Sequence, residues 1–379
     1  MNESNCRRVL IVGGGAGGLA AAAAAGAAGA QVTILEKANR VGKKLLRTGN
    51  GRCNLSNLHL SPEGYNRPDF VSPLLSKTDC GALLEYFSCL GLWTVADGEG
   101  RVYPRSDTAA SVLDVLRLEC ARRGVKELCS VEVTAIRPRG GGLAVDTREN
   151  GVFTADRVVV AAGGGTALLR SLGHRLIPFS PALCPLRTET SPIRGLSGLR
   201  LKCRAALRRD GRTIHSEAGE ILFRDFGVSG ILALNLSRFA QKGDVLSLDL
   251  IPEMPEEELR ARLDLRKAPD REESDLLTGI FHRRVAEALF RSAGADSGAL
   301  ARRIKDYPIV VEGPGDVQNA QVTRGGAAVD DFDPLTLESR LYPGLYAVGE
   351  ALDVDGPCGG YNLHWAFASG LAAGRSAGA

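Results

Sequence analysis

Aromatic residues are scarce, at 5% of the 379-residue chain, with two tryptophans, seven tyrosines and eleven phenylalanines. That scarcity excludes a broad aromatic platform for stacking sugars or single-stranded nucleic acid. No C-x-x-C pair occurs among the nine cysteines, so neither a zinc ribbon nor a dithiol redox motif is encoded, and no metal site is expected. An odd cysteine count in a long chain argues against a disulfide framework and for a reducing, cytoplasmic compartment. Charge of one sign is also lacking: 47 basic against 44 acidic side chains leave a net +3, too little to make a polyanion the default partner. Glycine is abundant, at 46 residues, but without a G-X-Y period, which excludes collagen. The length allows about two to three domains of roughly 150 residues.

The one long run without polar side chains is 9–30, behind Arg7-Arg8. It mimics a signal peptide or a membrane span. Seven of its residues are glycine and most of the others alanine, whereas a lipid-spanning helix wants leucine and isoleucine. A soluble reading follows from its internal order. Arg8 to Val12 is a buried parallel strand. It meets Gly13-Gly14-Gly15-Ala16-Gly17-Gly18, a G-x-G-x-x-G with fingerprint positions Gly13, Gly15 and Gly18. An alanine-rich helix follows, then the strand Gln31–Leu35, closed by Glu36. Gly13 makes the tight turn, Gly15 lets backbone approach a pyrophosphate, and Gly18 lets the helix pack close to the sheet. The helix N-terminus offers N–H groups to phosphate. Glu36, about twenty residues on, suits a free ribose 2′-OH, as in FAD or NAD.

The stretch Gly42 to Asn57 is rich in glycine, cations and amides. A plain NAD dehydrogenase would continue into another strand–helix pair there, whereas a cationic, backbone-exposing loop suits the far half of a larger dinucleotide. Further on, Cys80–Leu90 and Thr108–Arg122 read as helices, the second capped at Ser106 or Asp107. Strands at 131–137, 143–147 and 151–154, with glycine turns, form a β-meander. Arg157–Ala162 is another buried strand, ending in Gly163-Gly164-Gly165. The sixth position of a second fingerprint is Leu168, so these glycines mark a close chain passage rather than another nucleotide site.

From 180 the texture changes. Pro181, Pro185 and Pro192 suggest a crossing between domains. Strands at 199–208, 212–216, 219–223, 245–250 and 308–311 surround helices at 256–265, 274–290 and 297–305. Arg194 to Arg212 holds seven basic residues against Asp210 alone, a stripe that could touch phosphates or be a solvated strand face. Near the C-terminus, the strand Leu345–Val348 ends in Gly349-Glu350, and a glycine loop then opens a small-residue helix. An acid and a helix N-terminus in this position suit a ribityl hydroxyl and the flavin pyrimidine.

These residues resemble the BaiN/YhiN-like (aminoacetone oxidase-like) flavoproteins, a family of bacterial FAD-dependent oxidoreductases. The similarity spans the chain and rests on the fingerprint with Glu36, on T-G-N-G-R-C-N at 48–54, on GEILFRDFGVSG at 219–230, and on VTRGG, PGLYAVGEALDVDG and GGYNLHWAFASG between 320 and 370. The family pattern departs at Gly163, where a longer serine-, proline- and glycine-rich loop is usual and about a dozen residues are missing here.

The resemblance implies an α/β fold: a two-dinucleotide-binding-type Rossmann FAD domain (1–185 and 325–379) interrupted by a β-barrel-like domain (186–250 and 307–324) that carries a helical subdomain (251–306). It implies non-covalent FAD, held at its ADP end by Gly13, Gly15, Ala16, Gly17, Gly18, Glu36 and Lys37, with Val133, Ala162 and Gly163 alongside. Lys44, Gly49, Asn50, Gly51, Arg52, Cys53 and Asn54 would approach the flavin. Gly349 and Glu350 would take the ribityl chain, and Asp355, Gly360, Tyr361, Asn362 and Leu363 would border the pyrimidine edge. Cys53 and His364 are the candidate proton donors, and Arg52 a candidate to polarise a carbonyl. The expected reaction is NAD(P)H-driven reduction of a C=C conjugated to a carbonyl, with a uracil of large-subunit ribosomal RNA as leading substrate and the insert as the RNA-holding part. The alternatives are a small-molecule enone reductase, an amine (aminoacetone-type) oxidase, and a flavin-containing assembly factor without essential redox chemistry.

Overall fold

The computed structural model describes residues 6–164, 167–267, 275–315, 320 and 322–379. Its contacts divide the chain into two compact units, Met1–Ser180 with Val322–Ala379, and Pro181–Gln321. The first unit opens with β1 (Arg8–Val12), α1 (Ala16–Ala27) and β2 (Gln31–Glu36). A loop leads to β3 (Ser56–Asn57), α2 (Pro68–Leu75) and α3 (Cys80–Cys89). Then come β4 (Thr94–Ala96), β5 (Arg101–Pro104), α4 (Ala109–Arg122) and β6 (Lys126–Cys129). The meander is β7 (Val133–Arg139), β8 (Gly142–Thr147) and β9 (Val152–Ala155), and β10 (Arg157–Val160) follows it. A single turn, α5 (Ala167–Arg170), and β11 (Leu176–Ala182) lead out. α4 is capped by Thr108, whose hydroxyl accepts from Ala110 N at 3.4 Å, rather than by Ser106 or Asp107. Asp107 has left-handed backbone (φ 57°) and its carboxylate is taken up by Arg52.

The second unit contains β12 (Leu186–Thr188), β13 (Arg200–Arg209), β14 (Arg212–Arg224), β15 (Gly227–Ser229), α6 (Ile231–Leu236) and β16 (Val245–Asp249). Three helices, α7 (Glu256–Arg266), α8 (Arg283–Ala293) and α9 (Ser297–Lys305), precede β17 (Tyr307–Pro314). The six strands close into a barrel in the order β12-β15-β14-β13-β16-β17. Strands expected separately at 212–216 and 219–223 are one strand, because Ala218 keeps its pairing, opposite Arg204 of β13. The helix expected over 274–290 starts only at Arg283, capped by the His282 imidazole, and residue 274 lies outside the described residues. Barrel and helices share one apolar core, with Leu248, Leu263, Leu289 and Ile304 fully or almost fully enclosed.

The chain returns to the first unit through β18 (Val322–Ala327), β19 (Leu345–Ala347) and α10 (Tyr361–Gly378). β19-β10-β1-β2-β6 is an all-parallel sheet, the buried doubly wound arrangement that its β-branched strands require. Its topology brings the N-terminal motif after β1 and the C-terminal Gly349-Glu350 after β19 to the same end of the sheet, on either side of β10. Among the described residues no helix is long and apolar enough to cross a membrane.

The alanine-rich run owes its composition to α10. A Cβ on Gly370 would lie 2.3 Å from Gly17 O, one on Gly374 2.3 Å from Ala21 O, and one on Gly378 2.8 Å from Ala25 O. Successive turns of α10 therefore touch the backbone of α1 directly, and both partners must be small. Close packing of this kind leaves no room for added methylenes, which cost about 1–3 kcal/mol, occasionally more. Gly370→Val is expected to lose about 3 kcal/mol in a denaturant titration, whereas Gly98→Ala, in the turn between β4 and β5, should cost far less because a Cβ there meets nothing within 4 Å and its backbone is not left-handed. Equal losses would contradict the backbone contact.

Candidate active site

The turn after β1 is built by exclusion of side chains. Gly13 has φ 103°, and a Cβ there would sit 2.7 Å from Ala161 O. Gly18 is tighter, since its Cβ would lie 1.9 Å from Gly13 O. Gly15 is the opposite case: nothing lies within 4 Å of its missing Cβ, so its open side is free for a ligand. α1 has Gly15 as N-cap and no side chain capping it, and Leu19 N is the donor that bonds back to Gly15 O, at 2.9 Å. The N–H groups of Ala16, Gly17 and Gly18 thus form a first turn without intrahelical acceptors and with partial positive charge, a cradle for phosphate.

Glu36 closes this cradle. Its Oε2 accepts from Gly14 N at 2.6 Å and its Oε1 from Ala38 N at 2.7 Å. Each carboxylate oxygen keeps further lone-pair capacity for a ribose hydroxyl. Lys37, expected at the cofactor, instead pairs with Glu132 at 2.7 Å on the surface. Val133 heads β7 just beyond Val131, whose N–H donates to Glu36 O at 2.9 Å.

The loop 45–57 carries unusual backbone. Gly49, Asn50, Gly51 and Cys53 have φ of 55°, 56°, 86° and 59°. Left-handed non-glycine residues cost roughly 1–3 kcal/mol each and cluster where function needs them. Thr48 Oγ1 donates to Leu45 O at 2.6 Å, and Cys53 N donates to Thr48 O at 3.0 Å. Cys53 is fully enclosed, and burial pushes its thiol up to about 12. The Asn54 amide bridges three segments: its nitrogen donates to Ser56 O (2.9 Å) and Val102 O (3.2 Å), and its oxygen accepts from Gly360 N (3.1 Å). Arg52 donates to Asp107 Oδ1 at 2.5 Å and lies over the Tyr103 ring, 4.4 Å from its centroid.

A second polar group gathers at the strand ends. The Lys44 ammonium pairs with Glu350, and a Cβ on Gly163 (φ 56°) would lie 3.5 Å from Glu350 Oε2. Ala162 immediately precedes Gly163. Gly349 (φ 59°) donates its N–H to Ser369 Oγ at 3.0 Å.

The first turn of α10 is the third element. Gly359 and Gly360 have φ of 112° and 102°, and a Cβ on Gly360 would lie 2.2 Å from Ser56 O. The Asn362 side chain turns back to hold Gly356, accepting from its N–H (2.9 Å) and donating to its carbonyl (2.8 Å). Tyr361 donates its hydroxyl to His59 O at 3.0 Å. Leu363 is half-buried. Asp355 is buried and pairs through backbone with Asn66, while Asp353 takes the Arg67 guanidinium.

His364 is fully buried. Its Nε2 faces Thr78 O and its Nδ1 faces Ser56 Oγ, both at 2.9 Å. Thr78 O can only accept, so Nε2 carries the proton and Nδ1 accepts from the serine. Desolvation pushes the imidazole down to about 4. Engaged at both nitrogens, it braces α10 against the loop before α3, and this geometry does not present it as a proton donor. The same holds for the enclosed Cys53 thiol. Sequence reasoning missed Ser56, Tyr103 and Asp107, since their proximity depends on strand pairing within the small sheet β3-β5-β4.

Two outcomes follow. Glu36→Gln would turn an amide N–H toward a backbone donor and weaken FAD binding by about 10- to 100-fold in equilibrium titration, matching the roughly 1.5–3 kcal/mol of a charge-assisted hydrogen bond. His364 stays neutral in the fold, whereas the unfolded chain takes up its proton below pH about 6.5. Stability from this residue is therefore complete above about 6.5 and is lost as pH falls toward about 4. Urea midpoints measured across that window should fall less steeply with acidification in His364→Gln than in the parent.

The family described as HI0933-like protein Rossmann domain matches residues 7–376. The chain is 38% identical over 382 residues to the 3-dehydro-bile acid delta(4,6)-reductase of Clostridium scindens, covering 92% of this chain and 93% of that protein. It is 26% identical over 391 residues to the ribosomal RNA dihydrouridine synthase of Escherichia coli, covering 96% of each. Its fold is shared with the 3-ketosteroid-delta4-(5alpha)-dehydrogenase of Rhodococcus jostii RHA1, at TM-score 0.50 and 16% identity, over 100% of this chain and 98% of that one. The chain belongs to the HI0933-like family of Rossmann-domain, FAD-dependent oxidoreductases.

Proposed function

We propose that this enzyme reduces a C=C conjugated to a carbonyl in a small enone, with NADH or NADPH as transient electron donor. Bound in the site, FAD supplies hydride chemistry. The α1 first turn would hold its pyrophosphate and Glu36 its ribose. Lys44 and Glu350 would meet the ribityl chain, and the positive end of α10 would favour negative charge on the pyrimidine.

The observation that carries the choice of a small substrate is the state of the basic stripe on the barrel. Arg200 pairs with Glu220 (2.5 Å), Arg208 with Asp306 (3.0 Å) and Arg209 with the buried Asp244 (2.8 Å). Cations already paired with carboxylates bring little net attraction for phosphate. The 38% identical relative being a bile acid reductase supports the same reading. A second reading, a uracil of ribosomal RNA, draws support from Arg194, Lys202, Arg204 and Arg212, which have no carboxylate partner among the described residues, and from the dihydrouridine synthase relatives.

Anaerobic stopped-flow absorbance separates the readings. Bleaching of the flavin by NAD(P)H, followed by reoxidation with a 3-keto-Δ4 or Δ4,6 steroid, is the expected outcome. Bleaching by an amino ketone instead would make the enzyme an oxidase. Bleaching by no donor would leave an assembly role. Reoxidation by uracil-containing RNA but by no enone, weakening steeply with salt, would establish the second reading.

A further inference from the structure

We propose that Tyr103 is the proton donor of this reaction, with Arg52 and Arg101 as its electrostatic support. This rests on the reductase reading above. Hydride addition to the β-carbon of an enone pushes the π electrons toward the carbonyl, and an acid must then protonate the α-carbon. The groups expected for that task are engaged elsewhere: Cys53 is enclosed, His364 is bonded at both ring nitrogens, and the Tyr361 hydroxyl donates to His59 O.

Tyr103 is differently placed. It is 8% exposed, yet its hydroxyl has no hydrogen-bond partner among the described residues and is not sealed from solvent. β5 pairs with β3 and β4, so Arg101 and Tyr103, two residues apart, lie on one face of the small sheet. At one side of that face the Arg101 stem lies 3.9 Å from where a Gly359 Cβ would be, beside the start of α10. At the other, the Arg52 guanidinium from the 45–57 loop covers the Tyr103 ring at 4.4 Å. Tyr103 thus shares its strand with Arg101, which reaches Gly359, and carries Arg52 of the 45–57 loop over its ring.

Burial pushes the Tyr103 phenol up, which keeps its proton in place; Arg101 and Arg52 favour the phenolate that proton transfer leaves, while Asp97 and Glu99 oppose it and are themselves bound to Arg101 at 2.8 and 2.9 Å. Asp107 fixes Arg52. In the step itself, a bound reduced flavin would supply hydride to the β-carbon. The Tyr103 O–H bond breaks, its proton forms the C–H bond at the α-carbon, and the phenolate then takes a proton from water.

The test uses the FAD-loaded enzyme and its Tyr103→Phe and Arg52→Ala variants. Tyr103→Phe is expected to keep FAD affinity and the rate of bleaching by NAD(P)H, and to slow reoxidation by an enone about 100-fold or more, within the usual range of general acids. In deuterated water the parent should place deuterium on one face of the α-carbon, and the variant on both. In the FAD-free protein, ultraviolet titration should show one phenol, missing from Tyr103→Phe, whose ionisation moves to higher pH in Arg52→Ala. Unchanged reoxidation and unchanged stereochemistry in Tyr103→Phe would overturn the proposal while leaving the reductase reading intact. If the reduced parent enzyme is reoxidised by no enone, the reductase reading falls and this assignment falls with it.

Discussion

Two helices from opposite ends of the chain meet through bare backbone, and the site depends on that meeting. α1 begins at the phosphate cradle, and α10 begins at the glycine loop beside Asn54 and Ser56. Because Gly370, Gly374 and Gly378 lie against Gly17, Ala21 and Ala25, the axes come closer than any pair of larger side chains would allow. That distance fixes where the two helix N-termini stand relative to each other. Both helix N-termini carry partial positive charge, which is favourable where a dinucleotide supplies negative charge.

Around this contact the polar groups are held by short-range ties. Glu36 is held by two backbone N–H groups, Asn54 joins a loop, a strand and a helix start, and His364 spans Ser56 and Thr78. Within the 45–57 loop, the left-handed turn is held by Arg52 N–H to Gly49 O (3.2 Å) and Cys53 N–H to Thr48 O (3.0 Å).

Much of the architecture was legible in the residues. The fingerprint, the alanine-rich helix and the β-branched strands encode a parallel sheet through local rules, and the change at 180 marks the barrel. The membrane-like run 9–30 resolved correctly because its small residues answer to a partner helix rather than to lipid. Side-chain destinations were less legible. Nothing local says that Asn362 folds back onto Gly356, or that His364 meets Thr78, 286 residues earlier in the chain. Lys37 is expected at the ADP end of the cofactor, and its pairing with Glu132, 95 positions away, has no local signal. Long-range contact also hid Tyr103, which Arg52, 51 positions earlier, covers.

The central claim is that both ends of the chain together hold one FAD, with the ADP half bound as firmly as the flavin. Flavin fluorescence titrated into the FAD-free protein tests it most directly, comparing FAD with FMN. The account predicts one FAD per chain and binding of FMN weaker by about 1,000-fold or more, since FMN forgoes contacts worth at least ~4 kcal/mol at the α1 turn and Glu36. Equal affinity for FMN, or no flavin binding at all, would contradict it.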